Sequence, residues 1–519
     1  MTGGRGGTRE QEPAAGRDDP AARPAAPGRS GFRWPSDAPS PPTGPGRPVP
    51  EDTGAGGATR RWLRRTILGA GLATAAAIYV APGADGLTPQ GQAACAIFLA
   101  CTTLWLTNAI PVGITGLLAV ALLGLTRAMS PADAFAAVGS SAVFFIIGVF
   151  ILSAALVRSG LSTRLALRFL RVFGRSPDTL AAGLMLVACL TTVIMPAQAT
   201  VAMLFPIAAE LARAMRLRPG ASAYGKVLFL SLAWGAMVGS NASFLGSTRA
   251  PLALGLLAQT HGTTISFARW LQAALPVVVL GTAAVPVLLR ASFPREAVDA
   301  GAARAALDEA VARLGRIGRT QATAAAIMAA TVLGWVFLGG RRVDLAVLAL
   351  LGAAAMFAAR VLEWEDLEGY VHWNVVLMYG GAIALGVALD RSGVARWLTG
   401  AVVGDVRVPP YLAVVGLGVA TLVLSEFMSN AAAVAVMLPL GFSLGGPLGV
   451  APEALVLAAS VGAGLAFTLP VSSAPNTIAF ASGYVGMADF ARVGTAMTAI
   501  SVLILLLVAR VWWPLIGLL

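Results

Sequence analysis

Four short stretches set Ser, Thr, Asn, Gln and Pro inside otherwise apolar runs of this 519-residue chain: TTVIMPAQATVAMLFPI at 191–207, MVGSNASFLGSTRAPLAL at 237–254, LSEFMSNAAAVAVMLPL at 424–440 and TLPVSSAPNTIAF at 468–480. Runs this apolar belong in hydrocarbon, where irregular backbone is tolerated only if it is buried in protein or lines a cavity. Polar interruptions therefore mark binding loops. A helix broken there presents unpaired N–H groups and a positive dipole end at one side, which suit an anion. At the other side it frees carbonyls that, with Ser or Asn oxygens, suit a small hard cation such as sodium. The chemistry indicated is coupled movement of an anion.

The elements that must hold these loops follow from composition. With 57% hydrophobic and 12% charged residues, the chain departs far from water-soluble globules, in which about a quarter of residues are charged. A soluble enzyme carrying one anchor is excluded, and the expected class is an all-α polytopic membrane protein. Cys95, Cys101 and Cys189 match no metal or redox spacing. The net charge of +12 comes from basic residues dispersed along loops rather than gathered on a soluble module, so no nucleic-acid partner is expected. Residues 1–61 are rich in Gly, Pro, Ala and Arg with almost no aliphatic run; they cannot offset ordering entropy by burial and are expected to be a disordered cytoplasmic tail. No early apolar stretch reads as a secretory signal.

Apolar runs then predict spans at 62–82, 91–108, 110–126, 140–158, 225–258, 266–290, 320–338, 342–360, 371–390, 452–484 and 488–511, about eleven in all. The stretches 178–213 and 407–446, each interrupted midway, read as re-entrant hairpins, and the runs 225–258 and 452–484 as broken helices. With the N-terminus inside, 28 basic residues face the cytoplasm and 8 the other side, with Arg249 left at membrane depth. That is the positive-inside pattern of a cell-membrane protein. An offset of 233 brings Arg158-Ser159-Gly160 onto Arg391-Ser392-Gly393 and Pro206 onto Pro439. Copies separated by an odd number of spans run in opposite directions, the inverted-repeat construction of many secondary transporters, with the site at their interface. The expected organisation is a first span plus first repeat at 62–290, a cytoplasmic linker at 291–319 and a second repeat at 320–519.

Ser429-Asn430-Ala431 before Pro439, Ser473-Ala474-Pro475-Asn476, and ISFARWLQAALPVVVL at 265–280 together resemble the divalent anion/sodium symporter family, the di- and tricarboxylate and sulfate carriers. The resemblance implies that Ser425, Asn430, Ser472 and the Met428 carbonyl hold sodium, while Ser429, Asn430, Ser473 and Asn476 line the anion site. It also implies an elevator motion, a homodimer, sodium as the coupling ion and no other cofactor. The chain departs from the family pattern at Ala431, which lacks a hydroxyl, and more widely in the first half. There Pro196-Ala197-Gln198 stands in place of Ser-Asn-Thr, and GSTRAP at 246–251 replaces Gly-Ser-x-Pro-Asn. Gly246, Ser247 and Thr248 remain as ligands, Gly246 for a second sodium, and Gln198 as a substrate contact.

Arg249 offers a physical account of both losses. A guanidinium at membrane depth costs several kcal/mol unless it is paired or lines an aqueous cavity; here it could replace a sodium charge and clamp a carboxylate or sulfate bidentately. Pairing with a carboxylate, or reaching away from the site, is the plainer alternative. Glu426 could be a cation partner or a hydrogen-bond acceptor for hairpin backbone; Ser240, Asn241 and Ser243 could contact ligand or join helices. His261 and His372 read as interfacial. The expected function is secondary active transport of a small anion, with an anion exchanger lacking sodium coupling, or a transport-dead sensor retaining the fold, as alternatives. H-E-x-x-H does not occur and the chain has only two histidines, so an enzyme is not expected.

Overall fold

A computed structural model describes residues 55–83, 85–339, 343–394, 397 and 409–519, together with Met1. The described elements are helices, apart from an isolated bridge between Gly339 and Val343, and they belong to the unit Pro41–Leu519. The tail expected at 1–61 lies outside the described residues up to position 54; from Ala55 the chain is already helical, in α1 (Ala55–Val80). Arg341, Arg342, Arg396 and Arg407, counted above on the outer side, also lie outside them.

After α1 come α2 (Pro89–Thr107), α3 (Val112–Leu125), α4 (Pro131–Val138) and α5 (Ser141–Arg158). Residues 161–173, left between spans by the apolar pattern, form α6 (Leu161–Phe173). Its signal is periodic rather than apolar: Ala166, Leu167 and Leu170 are buried on one face, while Arg168 and Arg171 are exposed on the other. The first hairpin follows as α7 (Pro177–Thr191), started by a capping box of Ser176 and Thr179, and α8 (Ala197–Ala214). The first broken helix comprises α9 (Ala223–Gly239) and α10 (Arg249–His261). The chain continues through α11 (Phe267–Ser292), the linker helix α12 (Ala300–Ala312), α13 (Arg319–Phe337), α14 (Leu345–Ala358) and α15 (Trp373–Arg391). A second hairpin, α16 (Pro410–Ser425) and α17 (Asn430–Gly445), precedes the second broken helix, α18 (Pro452–Ala463) and α19 (Ala474–Ala481). The final helix, α20 (Met487–Leu515), contains two π-helical turns.

By length and composition, five described helices can cross a membrane: 131–158, 267–292, 319–337, 373–391 and 487–515. Several other predicted spans are filled by shorter apolar helices such as α3 and α14. The runs 225–258 and 452–484 are interrupted at 240–248 and 464–473, so neither is a continuous span.

Element bounds recur at the offset of 233 found in the sequence. Helix α3 maps onto α14 residue for residue, the starts of α7 and α8 map onto those of α16 and α17, and left-handed residues recur at Arg127 and Arg360 and at Gly160 and Gly393. Two ion pairs share this relation: Arg158 bonds Asp366, and Arg391 bonds Asp133 at 3.4 Å. Each arginine takes its carboxylate from the other copy. Helices α3 and α15 meet where Gly116 lies against Gly381 so closely that a Cβ on Gly381 would collide with the Gly116 backbone, the small-residue contact typical of helix pairs in lipid.

Candidate functional site

At the second hairpin the backbone leaves α16 at Ser425, turns through Glu426, Phe427, Met428 and Ser429, and re-enters a helix at Asn430. Ser429 caps α17, its Oγ accepting from the Ala432 N–H at 3.3 Å, so the N-terminal amides of α17 are gathered at an exposed serine. Behind this tip, Ser425 Oγ lies 2.8 Å from Asn430 Oδ1 and 3.0 Å from the Ala463 carbonyl. A hydroxyl carries one proton, so it can donate to only one of these two acceptors at a time. Three oxygens in this array, one of them at the negative end of the half-helix α18, make a donor set of the kind that holds a small hard cation.

The loop after α18 is held separately. Ser472 Oγ donates to the carbonyls of Leu469 at 2.7 Å or Ala466 at 3.0 Å and accepts from Asn476 Nδ2 at 3.2 Å. Asn476 Oδ1 accepts from the Trp234 indole at 3.2 Å, and Ser473 Oγ donates to Met237 Sδ at 3.3 Å, so the second-half loop is fastened to α9 of the first half. Glu426 is buried at the hairpin tip and accepts from the Thr468 and Leu469 N–H groups at 2.9 and 3.0 Å and from Thr498 Oγ1 at 3.2 Å. Its partners are thus the backbone of the neighbouring loop, not of its own hairpin.

The first half is built differently at equivalent places. Thr192 stands where Ser425 does, but its hydroxyl donates to the Cys189 carbonyl at 2.7 Å. Ala197 stands where Asn430 does and contributes only its N–H, donated to the Gly246 carbonyl at 2.9 Å. Ser243 Oγ, 2.6 Å from the Val193 carbonyl, joins loop and hairpin. Arg249 opens α10. Its side chain is 4% exposed, with Nε donating to the Ser460 carbonyl at 2.6 Å and Nη2 to Asn241 Oδ1 at 2.8 Å and Ser240 Oγ at 3.1 Å. It neither pairs with a carboxylate nor reaches the surface, so both plainer alternatives fail among the described residues.

A cation at a helix N-terminus opposes the dipole. Three hydrogen bonds to a charged group, each contributing about 1.5–3 kcal/mol, offset that cost and the desolvation. The Ser460 carbonyl is free to accept because the Gly464 N–H turns to Val461 instead, as α18 ends. Gly464 is required here: a Cβ would collide with the Arg249 guanidinium.

Among the other expected ligands, Ser429 is exposed, and Asn430, Ser473, Thr248 and Gln198 are half-buried. Ser247 is buried, and its hydroxyl has no hydrogen-bond partner among the described residues. Asn476 is fully buried with its amide satisfied internally. Gly246 spends its carbonyl on Ala197, Met428 is buried at the tip, and Ser472 shares no hydrogen bond with the Ser425 cluster. Sequence reasoning did not reach the carbonyls of Ala463 and Ser460 or the Trp234 clamp; the end of an apolar run just before Gly464 was the available signal for the first two.

Residues 60–519 match the family model for the sodium:sulfate symporter transmembrane region. The sodium-dependent dicarboxylate transporter SdcS of Staphylococcus saprophyticus is 26% identical over 450 residues, covering 82% of this chain and 86% of that protein. SdcS of Staphylococcus aureus is 27% identical over 453 residues, covering 82% and 87%. Among solved structures, the YdaH transporter of Alcanivorax borkumensis superposes with a TM-score of 0.50 at 17% identity, covering 73% of this chain and 86% of that one. MtrF of Neisseria gonorrhoeae, described with a class of antimetabolite efflux pumps, gives 0.51 at 13% identity, covering 87% and 94%. These two likenesses concern the fold alone.

Proposed function

The chain belongs to the sodium:sulfate symporter family, and from that premise we propose that this multi-pass membrane transporter, which is not an enzyme, carries a small dicarboxylate-type anion with sodium bound in its second half and a built-in cation, Arg249, in its first. The family model and the sodium-dependent dicarboxylate relatives support the anion class and the coupling ion; tricarboxylate and sulfate require similar arrays of N–H and hydroxyl groups. Sodium occupies the oxygens of Ser425, Asn430 and Ala463 with the Met428 carbonyl, and Ser472 from its loop completes the shell after a rotamer change. The anion rests on Ser429, Asn430 and Ser473, with Ser247, Thr248 and Gln198 from the first half. The observation that carries the reading is the buried guanidinium of Arg249, held by neutral oxygens with no carboxylate beside it among the described residues. A buried charge that is hydrogen-bonded but meets no opposite charge among the described residues is neutralised when an anion binds.

The recurrence at 233 residues supports an inverted repeat with two hairpins and two broken helices, and the family supports an elevator motion of the hairpin-bearing part, a homodimer and a cytoplasmic N-terminus. A cation built into the first half also favours a second reading, exchange of anions without sodium, in which Gly246 and its neighbours hold no ion. Uptake of labelled succinate, citrate and sulfate into proteoliposomes tests the proposal. Stimulation by an inward sodium gradient is expected; uptake only against preloaded anion, indifferent to sodium, selects the exchanger, and no transport of any of the three contradicts both readings.

A further inference from the structure

The ends of two helices able to cross the membrane set the level at which α6 lies. It starts three residues after Arg158, where one of them ends, and it packs beside Arg319, where another, α13, begins. Gln321 Nε2 of α13 donates to the Ser159 carbonyl at 3.1 Å, and Arg164 of α6 donates to the carbonyls of Gly315 at 2.9 Å and Arg316 at 3.2 Å. Arg171 pairs with Asp308 of α12, so this flank of α6 is occupied by protein. Away from the buried face runs a stripe of Leu165, Arg168 and Val172, spaced as i, i+3 and i+7, with Leu165 55% and Val172 65% exposed. Arg175, just past the helix, is exposed too, as are Arg316, Ile317 and Arg319 beside its start. Among the described residues none of Arg168, Arg175, Arg316 and Arg319 pairs with a carboxylate, whereas Asp308, Glu309, Glu363 and Asp366 each hold another arginine.

Exposed apolar side chains and unpaired guanidinium groups on one face, at the level where two spans end, suit a helix lying in the headgroup region. We propose that this face of α6, with the adjoining segment 316–319, binds anionic phospholipid. Leu165, Val172 and Ile317 enter the acyl boundary, while Arg168, Arg175, Arg316 and Arg319 hold headgroup phosphates. A second copy of this chain docked here about a two-fold axis would set the same uncompensated positive surface against its own image, and like charges facing each other oppose such a contact. Helix α6 is the covalent link from α5 to the first hairpin, so lipid bound on it acts on the element from which that hairpin is carried. The inference goes beyond the transport reading: it rests on the multi-pass fold and holds whichever anion or coupling ion is used.

The test is thermal unfolding of the purified full chain in a neutral detergent, titrated with phosphatidylglycerol or with phosphatidylcholine of the same acyl chains. Lipid that binds the native state raises Tm. Phosphatidylglycerol is expected to give a saturable rise that phosphatidylcholine lacks, with most of the difference lost in about 0.5 M potassium chloride. Each arginine at the surface contributes about five-fold, so Arg168→Gln combined with Arg175→Gln shifts half-maximal phosphatidylglycerol upward at least about ten-fold. Arg168→Lys combined with Arg175→Lys keeps the point charges and stays within about three-fold of wild type. Arg127→Gln, which removes an exposed arginine beyond the end of α3, stays within about two-fold. If the glutamine pair yields no folded protein, Arg316→Gln carries the test with a shift of about five-fold. Equal responses to the two lipids, a glutamine pair (or Arg316→Gln in its place) within two-fold of wild type, or an Arg127→Gln shift as large as theirs overturns the proposal. A changed oligomeric state of the glutamine pair, read by light scattering in the same detergent, makes this face a contact between copies and overturns it as well.

Discussion

At the second hairpin, Ser425 lies between Asn430 Oδ1 and the Ala463 carbonyl and gathers three oxygens; at the first, Thr192 has turned to its own helix, Ala197 has no side-chain oxygen, and a guanidinium lies nearby instead. The two regions share backbone plan and element bounds, so the difference lies in side chains and in charge. Both use the freed carbonyls at the end of α18, where Ser460 serves Arg249 and Ala463 serves the oxygen cluster. One half-helix end thus serves a tethered cation on one side and, in the proposed reading, an exchangeable one on the other. Two copies of a fold can divide a task that symmetric copies would perform twice.

The comparison breaks most sharply at Asn430. Replacing it with alanine makes the second half like the first without supplying a cation, and removing a ligand to a charged group costs about 2–3 kcal/mol, roughly 30- to 150-fold in half-maximal sodium for uptake. Sodium activation unchanged in Asn430→Ala would place the ion elsewhere. Arg249→Gln removes the tethered charge and is expected to raise the half-saturating anion concentration roughly 10- to 100-fold, as befits lost charge-assisted hydrogen bonds, with Arg249→Lys intermediate because a point charge lacks the planar fork. Competition binding of succinate reads it, and equal affinities in the three proteins would leave Arg249 a structural residue. Smaller still is Gly464→Ala, whose methyl group overlaps the guanidinium. Overpacking of this kind costs about 1–3 kcal/mol, so a lowered Tm is expected together with weakened anion binding. A lowered Tm with intact anion binding would separate the seat of Arg249 from the site.

Much of this arrangement was legible in the sequence because breaks in apolar runs are physical signals. The interruptions at Pro196, Ser240 to Ser247, Ser429 and Ser473 are where helices end or begin, and Ser425 and Asn430, five residues apart across a turn, meet as their types suggested. The family resemblance, first drawn from Ser429-Asn430 and Pro475-Asn476, is borne out by the match over 60–519. What stayed hidden was backbone chemistry and long-range partnership. Carbonyls of Ser460 and Ala463 carry no letter of their own, and whether they are free depends on where Gly464 turns its N–H. Asn476 reads as an open ligand by type, yet Trp234, 242 positions earlier, holds its amide. Arg249 announced a buried charge, but only the fold shows neutral oxygens around it in place of a carboxylate. Helix α6 escaped an apolar-run criterion because its signal is a face, not a stretch.

The central claim is that one half binds a mobile cation and the other has a fixed one. Sodium dependence of succinate uptake into proteoliposomes, measured over a wide range at constant ionic strength, tests it most directly. The account predicts a hyperbolic curve, a Hill coefficient of about one, from the single oxygen cluster at Ser425, Asn430 and Ala463. A sigmoidal curve with a coefficient near two or above would mean that the first half also binds sodium and would contradict it.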